Sequence, residues 1–323
     1  MNLVNSILGI VLLSLLIVIG YKVGQIVIEL NSPAIPKINE TKFTLPPEPS
    51  QNITLRWNHF PLTVYIDDGF VKEKSYYVDD FRKALEIWED STNNLVSFSA
   101  VSSGGDIAVE WSPALKEKAS DTLGNTDLKF VNISGLGLIQ NAKIELLTRS
   151  DSKQLSETDM TNLALHEIGH ALGLNHSNDE NDIMYPILVV PSKEIKQISA
   201  AEIQKLQDAY KLPARPDLRI MEVNVTKATI KKFGITFHLI NMSMIIENAG
   251  LTDAVSPVLR IDTENEKVKQ DMLPTISVGN RLSVIFGNLR TDNNFDTIKL
   301  TLDPDNLVEE LNEGNNVILL NVT

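Results

Sequence analysis

Two patterns of hydrophobic and polar residues divide the chain. Between residues 52 and 212 alternating runs mix with helical ones, and from 213 to 323 only alternating runs remain. Leu62-Thr63-Val64-Tyr65-Ile66 alternates and is β-branched, which predicts an opening strand. From Val78 to Ser91, the residues Phe81, Ala84, Leu85, Ile87 and Trp88 recur at helical spacing and predict an amphipathic helix against a sheet. Leu95–Phe98, Ile107–Trp111, Thr122–Val131 and Ala142–Leu147 read as further strands, with Gly135 and Gly137 loosening the connection between the last two. A second helix is expected from Ser156 to Leu174, with Ser156 and Asp159 forming a polar start. A third runs from Ser199 to Tyr210, with Ile203, Leu206 and Ala209 on one side.

Pro213-Ala214-Arg215-Pro216 cannot continue that helix and reads as a hinge. Strands are expected beyond it at Leu218–Val225, Ile235–Glu247, Ala254–Ile261, Leu282–Phe286, Thr297–Leu302 and Val317–Val322. The turns Asn248-Ala249-Gly250 and Gly279-Asn280 punctuate them as in a β-sandwich. The fold class is therefore α+β, a mixed β-sheet with three helices followed by an all-β immunoglobulin-like sandwich.

The N-terminal part is different again. Leu3 to Gly20 is almost wholly apolar, with no charge before Lys22. That length reaches the short end of the transmembrane range. Residues 1–24 are read as an uncleaved membrane anchor. The alternative is a cleaved secretory signal, for which the basic n-region is missing and Val18 and Gly20 offer only a poor cleavage site. A buried core helix is the remaining reading, and the segment lacks the amphipathic face such a helix needs. Pro33, Pro36, Pro46, Pro47 and Pro49 make residues 25–51 an extended spacer.

Composition changes the picture in two places. The formal net charge of -13 excludes a nucleic-acid binder, whose affinity rests on Lys and Arg. The absence of cysteine removes disulfides and any thiolate ligand. Six Asn-x-Ser/Thr triplets, at Asn39, Asn52, Asn132, Asn224, Asn241 and Asn321, fit an extracytoplasmic chain. A seventh, at Asn175, lies too close to His176 for a glycan.

The chemistry concentrates in His166-Glu167-Ile168-Gly169-His170-Ala171-Leu172-Gly173-Leu174-Asn175-His176. Histidines four apart share one helix face. Gly173 takes a left-handed backbone at low cost, ends the helix and returns His176 as a third ligand. Three imidazoles leave a fourth position open, the arrangement of a catalytic zinc. The pattern resembles the metzincin signature of zinc metalloproteases, and Ile183-Met184-Tyr185-Pro186 resembles the Met-turn of that family. With the order of strands and helices, residues 52–212 look like a matrixin catalytic domain.

The resemblance implies peptide-bond hydrolysis of extracellular or cell-surface proteins. One zinc would be held by His166, His170 and His176, with Glu167 as general base and then acid. It implies that Met184 packs beneath the metal, that Tyr185 and Pro186 line the wall of a specificity pocket, and that substrate lies along Leu123–Phe130 as an edge strand. Matrixins often block their zinc with a pro-domain cysteine, a device this chain lacks. Asp121, Asn125, Asp127 and Asn132 are read as a solvated polar loop, with calcium binding as the alternative, since their spacing is not specific.

Asp303 to Asn316 and the turn Glu247-Asn248-Ala249-Gly250 resemble a CARDB-type domain, implying a spacing, adhesion or substrate-presenting role for residues 213–323. Its carboxylates are read as a solvated acidic loop, with calcium binding as the alternative. The expected protein is thus membrane-anchored at the cell surface with extracytoplasmic domains, or secreted if the segment is cleaved. Its expected partners are protein or peptide substrates. Rival readings are an adhesion protein that uses the metzincin domain as a scaffold, and a zinc hydrolase acting on another bond.

Overall fold

The computed structural model describes residues 41–44, 53–71, 76–113, 122–133, 135–150 and 153–322. The apolar segment Leu3–Gly20, the prolines of the spacer, Asn39, Asn52 and Asp121 lie outside the described residues. Among the described residues no helix is long and apolar enough to cross a membrane. Within the stretch read as spacer, Thr41–Thr44 forms a strand, β1.

The first domain continues with β2 (Thr54–Arg56), β3 (Leu62–Asp67), α1 (Tyr76–Ser91), β4 (Phe98–Val101), β5 (Ile107–Ser112), β6 (Gly124–Ile133) and β7 (Leu136–Leu147). The short pair β8 (Arg149–Ser150) and β9 (Lys153–Gln154) precedes α2 (Glu157–Ala171), β10 (Ile187–Val190) and α3 (Ala200–Tyr210). The sheet order is β2-β7-β5-β3-β4, parallel throughout, with β6 antiparallel to β7. β6 covers the whole of β7 on one side, while β5 and β2 share the other. Hence β6 is an edge strand, as expected of Leu123–Phe130. β1 pairs antiparallel with β10, directly after the segment expected to form the Met-turn.

Helix α1 buries Tyr77, Val78, Phe81, Ala84, Leu85 and Trp88, a stripe at helical spacing that packs on α2 and the sheet. Removing a side chain the size of Trp88 from such a core costs about 3–5 kcal/mol. The indole also donates to the carbonyl of Leu165 at 3.0 Å, fixing α1 to the middle of α2.

Three sequence expectations need correction. Leu95 and Val96 are not in a strand: Asn93 and Asn94 take φ of 51° and 59°, and Leu95 N–H closes a turn on Thr92. The strand starts only at Phe98, whose N–H is drawn to Glu89 Oε1 at 2.7 Å. β7 begins at Leu136, six residues before its expected start at Ala142. Gly135 makes the tight hairpin turn with φ of 92°. Gly137 loosens nothing; a Cβ there would stand 2.4 Å from Leu55 Cδ2, so glycine lets β2 approach.

The second domain holds β11 (Leu218–Lys232), β12 (Ile235–Asn248), β13 (Val258–Thr263), β14 (Lys267–Met272), β15 (Arg281–Thr291), β16 (Thr297–Leu302) and β17 (Val317–Asn321). Two sheets, β11-β12-β15 and β14-β13-β16-β17, face each other over a core that includes Ile240, Met244, Ile246, Ile261, Phe295, Ile298 and Leu300. β14 escapes the sequence pattern because Lys267-Val268-Lys269-Gln270-Asp271-Met272 buries none of its side chains. Ala254 is no strand residue but a single bridge to Ile276. The hinge packs on the turn that follows β12. A Cβ on Gly250 would stand 2.3 Å from Pro216 backbone, and Leu251 N–H reaches Arg215 at 2.7 Å. Asn58 Nδ2 donates across to Leu251 O at 2.9 Å, tying the first domain to that turn.

Candidate metal centre

Helix α2 begins in a capping box in which Ser156 and Asp159 satisfy each other's backbone N–H groups. Asp159 also accepts from Ser192 N–H at 2.6 Å. Asn162 bridges Glu194 O and Lys196 N–H at 2.9 Å each. The start of α2 is therefore stitched to the segment that follows Met184-Tyr185-Pro186. The helix ends where the motif requires, with Leu172 as C-cap and Gly173 at φ of 98°. A Cβ on Gly173 would lie 2.4 Å from Leu55 O, so both conformation and space call for glycine. The last carbonyls of α2 accept from Trp57 Nε1 at 2.8 Å and Tyr210 Oη at 3.1 Å.

This frame brings the three histidines together. His170 Nε2 lies 3.0 Å from His166 Nε2 and 3.2 Å from His176 Nε2. His166 Nδ1 faces Ile183 O at 2.8 Å, and His170 Nδ1 faces Leu174 O at 2.9 Å. A carbonyl accepts only, so each Nδ1 carries the proton and each Nε2 is left as a bare lone pair. Burial holds the rings neutral, pushing His166 well below the usual histidine range, His170 down to about 4, and His176 downward as well.

Two acceptors at 3.0 Å repel each other, and a cation among them removes that repulsion. Zinc–nitrogen bonds of about 2.0–2.1 Å in a tetrahedral set put ligand nitrogens roughly 3.3 Å apart, close to the spacing seen. The donor set fits zinc. Among the described residues this is the only group of three His, Cys, Asp or Glu whose ligand atoms converge in this way.

Glu167 is fully buried beside the triad. Thr126 Oγ1 on β6 lies 2.7 Å from Glu167 Oε2 and 3.1 Å from Glu167 O, donating to the helix from the sheet edge. A Cβ on Gly124 would stand 2.4 Å from Glu167 Oε1. The edge strand thus touches the one carboxylate expected to move protons.

Met184 is fully buried and lies under α2; a Cβ on Gly169 would come 2.3 Å from its sulfur. Met184 O accepts from Ser177 N–H at 2.8 Å, and Met184 N–H donates to Glu202 Oε1 at the same distance. Glu202 belongs to the capping box of α3, where Oε2 accepts from Ser199 N–H at 2.7 Å. Tyr185 and Pro186 are half-buried and lead directly into β10.

Sequence reading missed Gly124, Thr126 and Glu202. The motif Ser199-x-x-Glu202 announces a cap, yet nothing local reveals that Glu202 also holds Met184.

Asn125, Asp127 and Asn132 lie within β6 rather than in the expected polar loop, and Asp121 lies outside the described residues. Asn125 is buried, Asp127 faces Lys143 across the strand pair, and Asn132 closes the hairpin on Gly135 N–H at 3.0 Å. In the second domain the carboxylates serve their own chain. Asp303 accepts from Val308 N–H at 2.7 Å, Glu313 from Glu310 N–H at 3.0 Å, and Glu310 from Leu218 N–H and Asn316 Nδ2.

Two histidines on a helix and a third just beyond its end, beside the antiparallel edge strand of a mixed sheet, have the form of a metallopeptidase domain. Comparison with known proteins supports that class and narrows it. Residues 56–211 match the family model for matrixins, and residues 215–319 match that for CARDB domains. The chain is 31% identical over 163 residues to human matrix metalloproteinase-26, covering 48% of this chain and 59% of that protein. It is 29% identical over 140 residues to rat macrophage metalloelastase, covering 42% of this chain and 29% of that protein. The chain therefore spans less than two thirds of the length of these relatives. A solved CARDB domain from Pyrococcus furiosus, in complex with di-metal ions, is 21% identical with a TM-score of 0.25, over 34% of this chain and 94% of that one. The first domain of this chain belongs to the matrixin family, and a CARDB domain follows it.

Proposed function

We propose that the chain is a zinc-dependent endopeptidase that hydrolyses peptide bonds of proteins outside the cytoplasm. The observation that carries this reading is the convergence of His166, His170 and His176 with Glu167 buried beside them under an edge strand. His166, His170 and His176 would hold the zinc, which supplies Lewis acidity towards water and a carbonyl group.

The chain's own residues do the rest. Glu167 takes a proton from the attacking water as its oxygen bonds to the carbonyl carbon. When the carbon–nitrogen bond breaks, Glu167 returns that proton to the leaving amine, so the carboxylate is regenerated. Thr126 and Gly124 hold the carboxylate in place, and β6 offers an extended substrate its free edge. Met184, Tyr185 and Pro186 form the turn beneath the metal and the start of the pocket wall.

Residues 52–212 make up the catalytic domain in this reading and 213–323 the accessory one, in line with the matched spans 56–211 and 215–319. The apolar run from Leu3 to Gly20 anchors the protein at the cell surface.

Incubating the purified full chain, in detergent, with a peptide library tests the activity. Cleavage that disappears with a chelator and returns with zinc is expected. A chain that binds zinc stoichiometrically and cuts no peptide would mark the domain as a recognition scaffold instead.

A further inference from the structure

β11 and β12 run on past the sandwich. Pairing between β12 and β15 ends at His238 opposite Thr291, whereas β11 and β12 stay paired to Lys232 opposite Ile235. Residues 230–237 therefore form a two-stranded ribbon paired only to itself. Such a ribbon is marginal alone and persists here because its root lies in the sheet.

The ribbon carries an unusual surface. Ile230 is 46% exposed, Ile235 59% and Phe233 92%. From Val223 to Ile246 there is no Asp or Glu, in a chain that holds 42 of them and a net charge of -13. Lys231 is exposed beside the tip, and Lys232 follows it in the sequence. Phe233 and Gly234 make a two-residue turn with φ of 52° and 80°. A turn of that kind favours Asn or Asp before Gly, and a bulky residue at positive φ is strained. The tip thus exposes an aromatic side chain at a backbone cost, near the exposed Lys231 and Ile235. Strain held at an exposed position points to function rather than to folding.

From this we infer that the Phe233 tip is a membrane-contact device, inserting Phe233 and Ile235 among the headgroups of an anionic bilayer while Lys231 pairs with a lipid phosphate. Apolar and basic groups on one projecting tip match the apolar boundary and the negative charge of such a surface. A protein partner is the competing occupant. Its surface would need a long acidic and apolar recess, and nothing in the ribbon shows the alternating side-chain pockets of strand addition.

The chain has no cysteine, so Ile235→Cys in the full chain takes a single environment-sensitive fluorophore. A second label at Val255→Cys, 67% exposed beyond the other end of β12, is the control. The chain is reconstituted in phosphatidylcholine vesicles with and without phosphatidylserine. The expected result is a blue shift at position 235, quenched by lipid-borne quencher, on anionic vesicles only, with no change at 255. Lys231→Ala weakens the response about fivefold. Phe233→Asn abolishes it while leaving thermal stability equal or higher, because asparagine suits the turn. A probe at 235 that stays in water on anionic vesicles overturns the inference, as does a shift that survives Phe233→Asn. Shielding that grows with protein concentration in the absence of lipid overturns it too, in favour of a contact between copies. Since no peptide is cleaved in this assay, its outcome is separate from that of the proposed proteolysis.

Discussion

The two domains bury polar groups to opposite ends. In the second, Asn248 gives Nδ2 to Thr252 O and Ile276 O and takes Asp217 and Gly250 N–H groups on Oδ1. Asp303 likewise accepts from its own loop and Glu310 from the first residue of β11. These groups satisfy backbone that strands cannot reach, and the result is a closed scaffold. In the first domain Asp159, Asn162 and Glu202 do the same work, but three imidazoles turn their Nε2 atoms on one another. Buried polar atoms spent on the chain itself mark architecture. Buried acceptors facing acceptors mark a place for a ligand.

Replacing His166 or His170 by Ala should break this contrast most severely. Loss of one of three ligands should weaken zinc by more than the roughly 10- to 100-fold that losing a second-shell partner costs. Zinc titration against a chelating indicator measures it, and unchanged affinity would mean that the ion sits elsewhere.

Next in size are changes at the sheet edge. Gly124→Ala drives a Cβ onto Glu167 and should lower kcat about 100-fold, as displacements of about 1 Å do. Thr126→Val should lower kcat about tenfold with KM and zinc content unchanged, and Thr126→Ser should restore it. A fall in KM-dependent binding instead would make Thr126 part of the substrate groove.

Glu202→Ala should cost about 2–3 kcal/mol, because it leaves the N–H groups of Met184 and Ser199 buried and unsatisfied. Denaturant unfolding followed by tryptophan fluorescence reads this cleanly, as Trp57, Trp88 and Trp111 all lie in the first domain. An unchanged midpoint would show the Met-turn to be held by other contacts.

A further effect belongs to the scaffold. Burial pushes the Glu310 carboxyl up from 4.5 to about 7. Between those values the folded domain keeps a proton that the unfolded chain has lost. Stability from this group should therefore be undiminished below pH 4.5, fall as pH rises, and level off above about 7. Calorimetry of Glu310→Gln against the parent should show the parent's decline over that window removed. A parallel pH dependence would place the titration elsewhere.

Much of this was legible in the sequence, for physical reasons. The spacing of His166, Glu167, His170, Gly173 and His176 is a helix followed by a left-handed stop, so local geometry alone brings the three histidines near each other. Amphipathic α1 and the capped start of α2 are equally local. What stayed hidden depends on distant pairing. Thr126 and Gly124 meet Glu167 only because β6 is laid beside α2 by the whole sheet. Glu202 meets Met184 only once α3 has docked. β14 shows no pattern because it buries no face, and Gly137 looked like a breaker until β2 needed its space.

The most direct test pairs metal content with turnover in Glu167→Ala. The purified variant and the parent, loaded with zinc under the same conditions, are assayed on one cleavable peptide and analysed for bound metal. The account predicts equal, stoichiometric zinc in both and a loss of kcat of roughly 100- to 10,000-fold in the variant. A variant that binds zinc and cleaves as fast as the parent would contradict it.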